Sequence, residues 1–203
     1  MKSVTLKEQL ISYPEHLLDE WKNGNNTMLE TSNASGYIKD ILVTKAKMRR
    51  GTRFFGEAYV SSIMSDKMRN GWYTSYKWLI TKKWISGNHL DDKFEKPFYE
   101  ALHKYIGIDK LKKIQYQANL YYKKNKIKSQ ASDLWFIDKS NNHHFFEVKK
   151  GTDKIHNGQL EGLAILKKYL KASVSIVMLY PDNIKPPKTI DHTQRFSAIY
   201  NSI

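Results

Sequence analysis

The 203-residue sequence contains no cysteine. That excludes a disulfide framework and a cysteine-bound zinc centre, and it fits a reducing compartment. Long apolar runs are missing too. The longest, residues 174–180, has strand length and is interrupted by Ser175, far short of the roughly 18–20 residues that span a bilayer. The first eight residues carry Lys2 and Lys7 with no apolar run behind them, so no secretory signal is expected there. Neither a repeat of fixed period nor a low-complexity tract occurs. Acidic residues are the remaining shortage: 20 Asp plus Glu face 34 Lys plus Arg, a formal charge of +14 and an isoelectric point of about 9.7.

What is present suffices to fold. A hydrophobic fraction of 40% with 13% aromatics points to a packed core and away from disorder. The length suits one full domain, or a compact domain with an extension. The positive charge draws in a polyanion. Nucleic acid is the commonest such partner, and an anionic membrane surface is the rival. Composition therefore predicts a soluble cytoplasmic protein associated with nucleic acid and not with membrane.

Turn-forming residues are densest at 23–35 and 87–92. The second stretch is the expected boundary between an N-terminal region, 1–90, and a C-terminal core, 91–203. The N-terminal region reads as a mostly helical extension. A helix from near Pro14 places Leu17, Leu18 and Trp21 on one face and stops at Asn23 and Gly24. Ile38, Ile41 and Leu42 keep helical spacing, and apolar-rich segments follow at 54–64 and 73–85.

In the core, Phe98, Tyr99, Leu102 and Ile106 recur at three and four residues, which predicts a helix over 94–106 stopped by Gly107. Ile114, Tyr116, Ala118 and Leu120 alternate with Gln115, Gln117 and Asn119, the pattern of a half-buried strand. Strands at 133–137 and 144–149 flank a turn at 140–142. An amphipathic helix over 157–170 and a buried strand over 173–180 complete the series, and Pro186 and Pro187 mark a late loop. Such an order describes an α/β fold with a mixed central sheet flanked by helices.

Asp133 opens one strand of the hairpin, and Glu147 and Lys149 end the next. Two residues apart on a strand, Glu147 and Lys149 project from the same face. The short turn lets Asp133 and Glu147 converge on one cation, and hard divalent ions take such an oxygen-rich site, completed by water and phosphate oxygen. Such an ion polarises a scissile phosphate and acidifies a bound water, while Lys149 can orient that water or neutralise developing charge. The bland alternative is a surface ion pair between Glu147 and Lys149, worth little.

Asp133 followed by Glu147-Val148-Lys149 resembles the signature of the PD-(D/E)XK nuclease superfamily, with Ser132 where proline is usual. The run Phe145-Phe146-Glu147-Val148-Lys149-Lys150-Gly151, with Gln159 and Leu163 after it, looks especially like the VRR-NUC branch and the Holliday-junction resolvases. The resemblance spans roughly residues 92–181. It implies a restriction-endonuclease-like core of helix, three strands, helix and strand, and a Mg²⁺-dependent DNA endonuclease, with Mn²⁺ able to substitute. Asp133 and Glu147 are then metal ligands, Lys149 assists catalysis, and Gln159 joins them. A further glutamate on the helix before the first strand is expected to bind metal. Glu95 is the first choice, Glu100 the second and Glu57 a more distant third. Many members work as dimers, so a homodimer is an expectation too.

Lys150 and Lys154 flank this site, and Arg49, Arg50 and Arg53 form a second basic cluster. Both are candidates for DNA phosphates, and equally for solvated faces. About six phosphate contacts predict a log–log salt slope of about −5. The aromatic and cationic stretch 72–84 is either a surface that stacks on unpaired bases or N-terminal core, and core is favoured. His143 and His144 have no partner set with zinc spacing, and alternation exposes at least one of them. A role for His156 in contacting phosphate is a weaker expectation. Two rival functions stand beside the DNA endonuclease: a non-catalytic basic DNA-binding protein that retains the nuclease fold, and an RNA-cleaving enzyme.

Overall fold

A computed structural model describes residues 2–48, 52–91 and 93–196. Its frame is one six-stranded sheet. The strands are β1 (Lys2–Tyr13), β2 (Met68–Tyr73), β3 (Leu134–Asp138), β4 (His143–Lys150), β5 (Ser173–Pro181) and β6 (Asp191–Phe196). They lie in the order β2-β3-β4-β5-β1-β6. The pairs β4/β5 and β5/β1 are parallel, and the other three are antiparallel. The described helices are α1 (Glu15–Lys22), α2 (Thr27–Glu30), α3 (Gly36–Met48), α4 (Phe55–Met64), α5 (Lys83–Ser86), α6 (Glu95–Ala101), α7 (Ile108–Asn125) and α8 (Asn157–Leu170). The π-helical turn Leu102–Ile106 joins α6 to α7.

Alternation along the inner strands feeds two cores, because successive side chains point to opposite faces. Trp135 and Ile137 of β3, Phe145 of β4 and Ile176 of β5 pack on one face with Trp84, Phe98, Leu111 and Leu163 of the helices. Leu134 and Phe136, Phe146, and Val177 and Leu179 pack on the other with Ile38, Leu42 and Phe55. Both faces are thus covered, as the near-continuous apolar character of β3 requires. Each such side chain contributes about 1.5–3 kcal/mol on burial.

Two sequence-based expectations are corrected. The first 90 residues are not a helical extension: β1 sits inside the sheet between β5 and β6, and β2 forms its edge against β3. Lys7, Glu8 and Gln9 in the middle of β1 mask its Val4, Leu6 alternation. The second concerns residues 114–120, which are helical, within α7. Leu111, Ile114, Gln115 and Ala118 form its buried face, a three-and-four spacing that two buried glutamines disguise as alternation. By contrast, α1, α8, β3, β4 and β5 lie within a residue or two of their expected bounds, whereas β6 lies where the sequence predicts no strand.

Candidate active site

Register brings the proposed residues together. Leu134 pairs with Phe146 across β3 and β4, and one further step sets Asp133 opposite Glu147. Asp133 Oδ2 accepts the Val148 N–H at 2.8 Å, which ties this carboxylate to β4. Glu147 is wholly buried. Its Oε1 accepts from Lys149 Nζ at 2.7 Å and from Gln159 Nε2, and its Oε2 is buried with no hydrogen-bond partner. The Glu147–Lys149 pair therefore exists but is not a surface pair, with side-chain exposures of 1% and 11%.

Gln159 works at both ends of its amide. Its Oε1 accepts the His156 N–H at 3.0 Å, satisfying one donor at the start of α8, while its NH₂ group holds Glu147. A carboxylate in its place could not donate the second bond. Two glycines set the helix close to the segment that carries Asp133. A Cβ on Gly158 would lie 2.4 Å from the Lys128 carbonyl oxygen, and one on Gly162 would lie 1.7 Å from that of Gln130. The Gln130 N–H donates to the Gly158 carbonyl at 2.8 Å. Residues 128–132 therefore run along α8 and deliver Asp133 to the site.

The third carboxylate is Glu57. A Cβ on Gly56 would meet Val148 Cγ1 at 2.8 Å and Leu179 Cδ1 at 3.2 Å, so only glycine lets α4 lie this close to β4 and β5. Glu57 is pushed up to about 8, chiefly by burial and then by repulsion from Asp133, with Lys149 and Lys150 opposing. Asp133 is raised by burial, against the Val148 N–H bond, Lys149 and a hydrogen bond shared with the Glu147 carboxyl. Burial and then Asp133 push Glu147 well above the usual carboxylate range, Lys149 opposes, and Glu57 adds to the rise. The half-buried Asp133 and Glu57 are thus within electrostatic reach of the buried Glu147, where negative charge is costly.

The first-choice glutamate has partners of its own. Glu95 opens α6, where its carboxylate is bonded to Lys83 and accepts the Asp91 N–H at 3.1 Å. Helix α6 runs through the π-helical turn into α7, and Glu95 lines a cleft shared with Tyr73 and Thr74. Glu100 is exposed. Glu57 had one signal in the sequence: a glycine directly before it inside an apolar helical stretch marks close approach.

Of the basic residues, Lys150 is half-buried and donates to the Thr52 carbonyl at 3.3 Å. Burial lowers its pKa, against Asp153 and Glu57. With Arg53, Phe54, Glu57 and Asp153 it lines a cleft of about 450 Å³. Lys154 is exposed, while Arg49 and Arg50 lie outside the described residues. A second cleft, of about 510 Å³, shares Phe54 with the first and is walled by Tyr37, Lys45, Tyr73, Tyr76, Asp91 and Glu95. The stretch 72–84 divides accordingly: Trp78 and Trp84 are core, and Tyr76 is exposed. Both His143 and His144 are half-buried, the former stacked on Trp135 and the latter bonded to Asp138 at 3.0 Å.

The donor set suits a hard cation. Among the described residues, no group of three or more His, Asp or Glu is placed to hold a metal ion. Mg²⁺ usually takes one or two carboxylates and draws the rest of its shell from water and phosphate, which Asp133 and Glu147 satisfy. The unpartnered Glu147 Oε2 is the atom that most needs a proton or a cation. Among the described residues, no helix is long and apolar enough to cross a membrane. No protein-family model matches the chain, and no curated protein or solved structure matches it either.

Proposed function

We propose that this chain is a Mg²⁺-dependent DNA endonuclease of restriction-endonuclease-like fold, with Asp133, Glu147, Lys149 and Gln159 at its centre and Glu57 beside them. The observation that carries this reading is the buried Glu147, with one oxygen held by Lys149 and Gln159 and the other without a partner. The chain order α4-β2-β3-β4-α8-β5 supports it, being helix, three strands, helix and strand, with residues 74–133 as an insertion between the first two strands.

Asp133 and Glu147 would hold the cation, which supplies Lewis acidity toward the scissile phosphate and an acidified water; Mn²⁺ should serve as well. Gln159 keeps Glu147 in one rotamer. Lys149 places its ammonium where charge develops on the phosphate. Lys150 and Arg53 line the cleft beside Glu57 and provide cations for the flanking phosphates.

The binding-module alternative is disfavoured by cost. Setting the half-buried Asp133 and Glu57 near the buried Glu147 costs stability unless a cation offsets the negative charge, and a protein that only binds DNA gains nothing from it. The test is cleavage of supercoiled plasmid, a branched junction, a linear duplex and a matching RNA, with Mg²⁺ or EDTA. Metal-dependent cutting of DNA that Asp133→Ala and Lys149→Ala both lose is the expected result. Binding without cutting by folded wild-type protein selects the binding module, and cutting confined to RNA selects the ribonuclease.

A further inference from the structure

The aromatic cleft beside the carboxylates is not needed to hold a cation or a phosphate. Its position nevertheless joins it to them. Thr74, on its wall, donates its backbone N–H to the Asp133 carbonyl at 2.9 Å and its hydroxyl to the Ser132 carbonyl. Neighbouring Tyr73 also lines the cleft, and its phenol is held up by burial and then by the charges of Glu57 and Asp133. Anything seated in the cleft therefore lies next to the proposed cation site.

The chemistry of the walls selects the occupant. Tyr37, Phe54, Tyr73 and Tyr76 supply aromatic surface, and Tyr76 is 55% exposed. Lys45 Nζ stands 5.4 Å from the Tyr73 ring centre and 6.0 Å from that of Phe54. A volume of about 510 Å³ is within the usual range for small planar ligands. Flat π-faces bordered by a cation are how proteins take up bases of single-stranded nucleic acid, at little cost in sequence preference. A paired base cannot enter without leaving its stack.

We propose that this cleft receives an unpaired base of the DNA strand whose phosphate lies at Asp133 and Glu147. The inference rests on the nuclease reading for its substrate but not for its binding surface. Lys45 then meets the phosphate or the stacked base, and Tyr76 closes over the base from solvent.

The test is binding in EDTA, where no cutting occurs. Probes are a fluorescein-labelled dT 12-mer, a blunt 12-base-pair duplex, and a duplex with a short gap carrying 2-aminopurine. Single-strand and gapped probes should bind about tenfold more tightly than the blunt duplex, with quenching of the 2-aminopurine. Tyr76→Ala, at an exposed position, should remove that preference and leave duplex affinity unchanged, and Lys45→Ala should weaken it. Equal affinity for single strand and blunt duplex overturns the proposal, as does single-strand binding untouched by either substitution. Wild-type cleavage in Mg²⁺ separates the two ideas. Cutting without single-strand preference sinks the base cleft and leaves the nuclease; preference without cutting keeps the cleft and sinks the nuclease.

Discussion

Lys149 and Glu147, two residues apart on β4, form an ion pair of 2.7 Å whose carboxylate is wholly buried. The second oxygen of that carboxylate has no partner. Glu147→Gln and Lys149→Ala should each reduce Mg²⁺-dependent cleavage by about 10²–10³-fold. Glu147→Gln should leave the thermal midpoint of the metal-free protein unchanged or higher, since it removes a buried charge while keeping the shape. A Glu147→Gln protein that cuts at the wild-type rate would show that this carboxylate is not part of the reaction.

Glu57 and Glu95 compete for the role of third carboxylate, and geometry separates them. Glu57 shares the electrostatic environment of Asp133 and Glu147, whereas Glu95 is engaged with Lys83 and the Asp91 N–H. Glu57→Gln should raise the Mg²⁺ concentration needed for half-maximal cleavage by about 10- to 100-fold. Glu95→Gln should leave it within about threefold. Metal titrations of both variants decide, and the reverse ranking would return Glu95 to the site.

Stability should depend on pH in a defined direction. Glu57 is raised from 4.5 to about 8 in the folded protein, so between those values the unfolded chain has released a proton that the folded one keeps. Stability from this group is complete below about 4.5 and is lost as pH rises through about 8. Asp133 and Glu147 shift the same way. Asp138 shifts oppositely, held below the usual carboxylate range by His144 and then Asn142, so its contribution is lost only on acidification below this window. The melting temperature of metal-free protein should fall from about pH 5 to about pH 8, and Glu57→Gln should flatten that fall. Mg²⁺ should raise it more at the upper end, where fewer protons must be displaced. A melting temperature that climbs steadily across the window in EDTA contradicts the carboxylate cluster.

Gly162 should tolerate no side chain. A methyl there would sit 1.7 Å from the Gln130 carbonyl oxygen, so either α8 or residues 128–132 must move. Gly162→Ala should cost about 1–3 kcal/mol and lower cleavage by displacing Asp133. Gly36, where an added Cβ meets nothing within 4 Å, is the control. Gly36→Ala should be neutral or stabilise by about 0.4–1 kcal/mol. Urea denaturation of both variants measures the difference, and equal stabilities would remove the packing constraint.

Much of the site is legible without coordinates because it is local. The β3–β4 hairpin, the Glu147–Lys149 pair and the start of α8 at Gln159 follow one another in the chain, and each has its own periodicity. Residues 114–120 mislead for a definite reason. Gln115 is buried and donates to the Trp78 carbonyl at 2.7 Å and to the Thr81 carbonyl at 3.0 Å, while Tyr116 is 53% exposed. Sorting residues by polarity reverses which of these faces the core.

The amino-acid order by itself determined the absence of disulfides, the strongly basic charge, the α/β class and the pairing of Glu147 with Lys149, since these depend on composition or on neighbours in the chain. Tertiary structure alone decided that β1 and β2 complete the sheet and that Glu57 lies within electrostatic reach of Asp133. Those outcomes depend on contacts between distant segments, above all on Gly56 against Val148 and Leu179. No local period encodes which helix may approach a strand that closely.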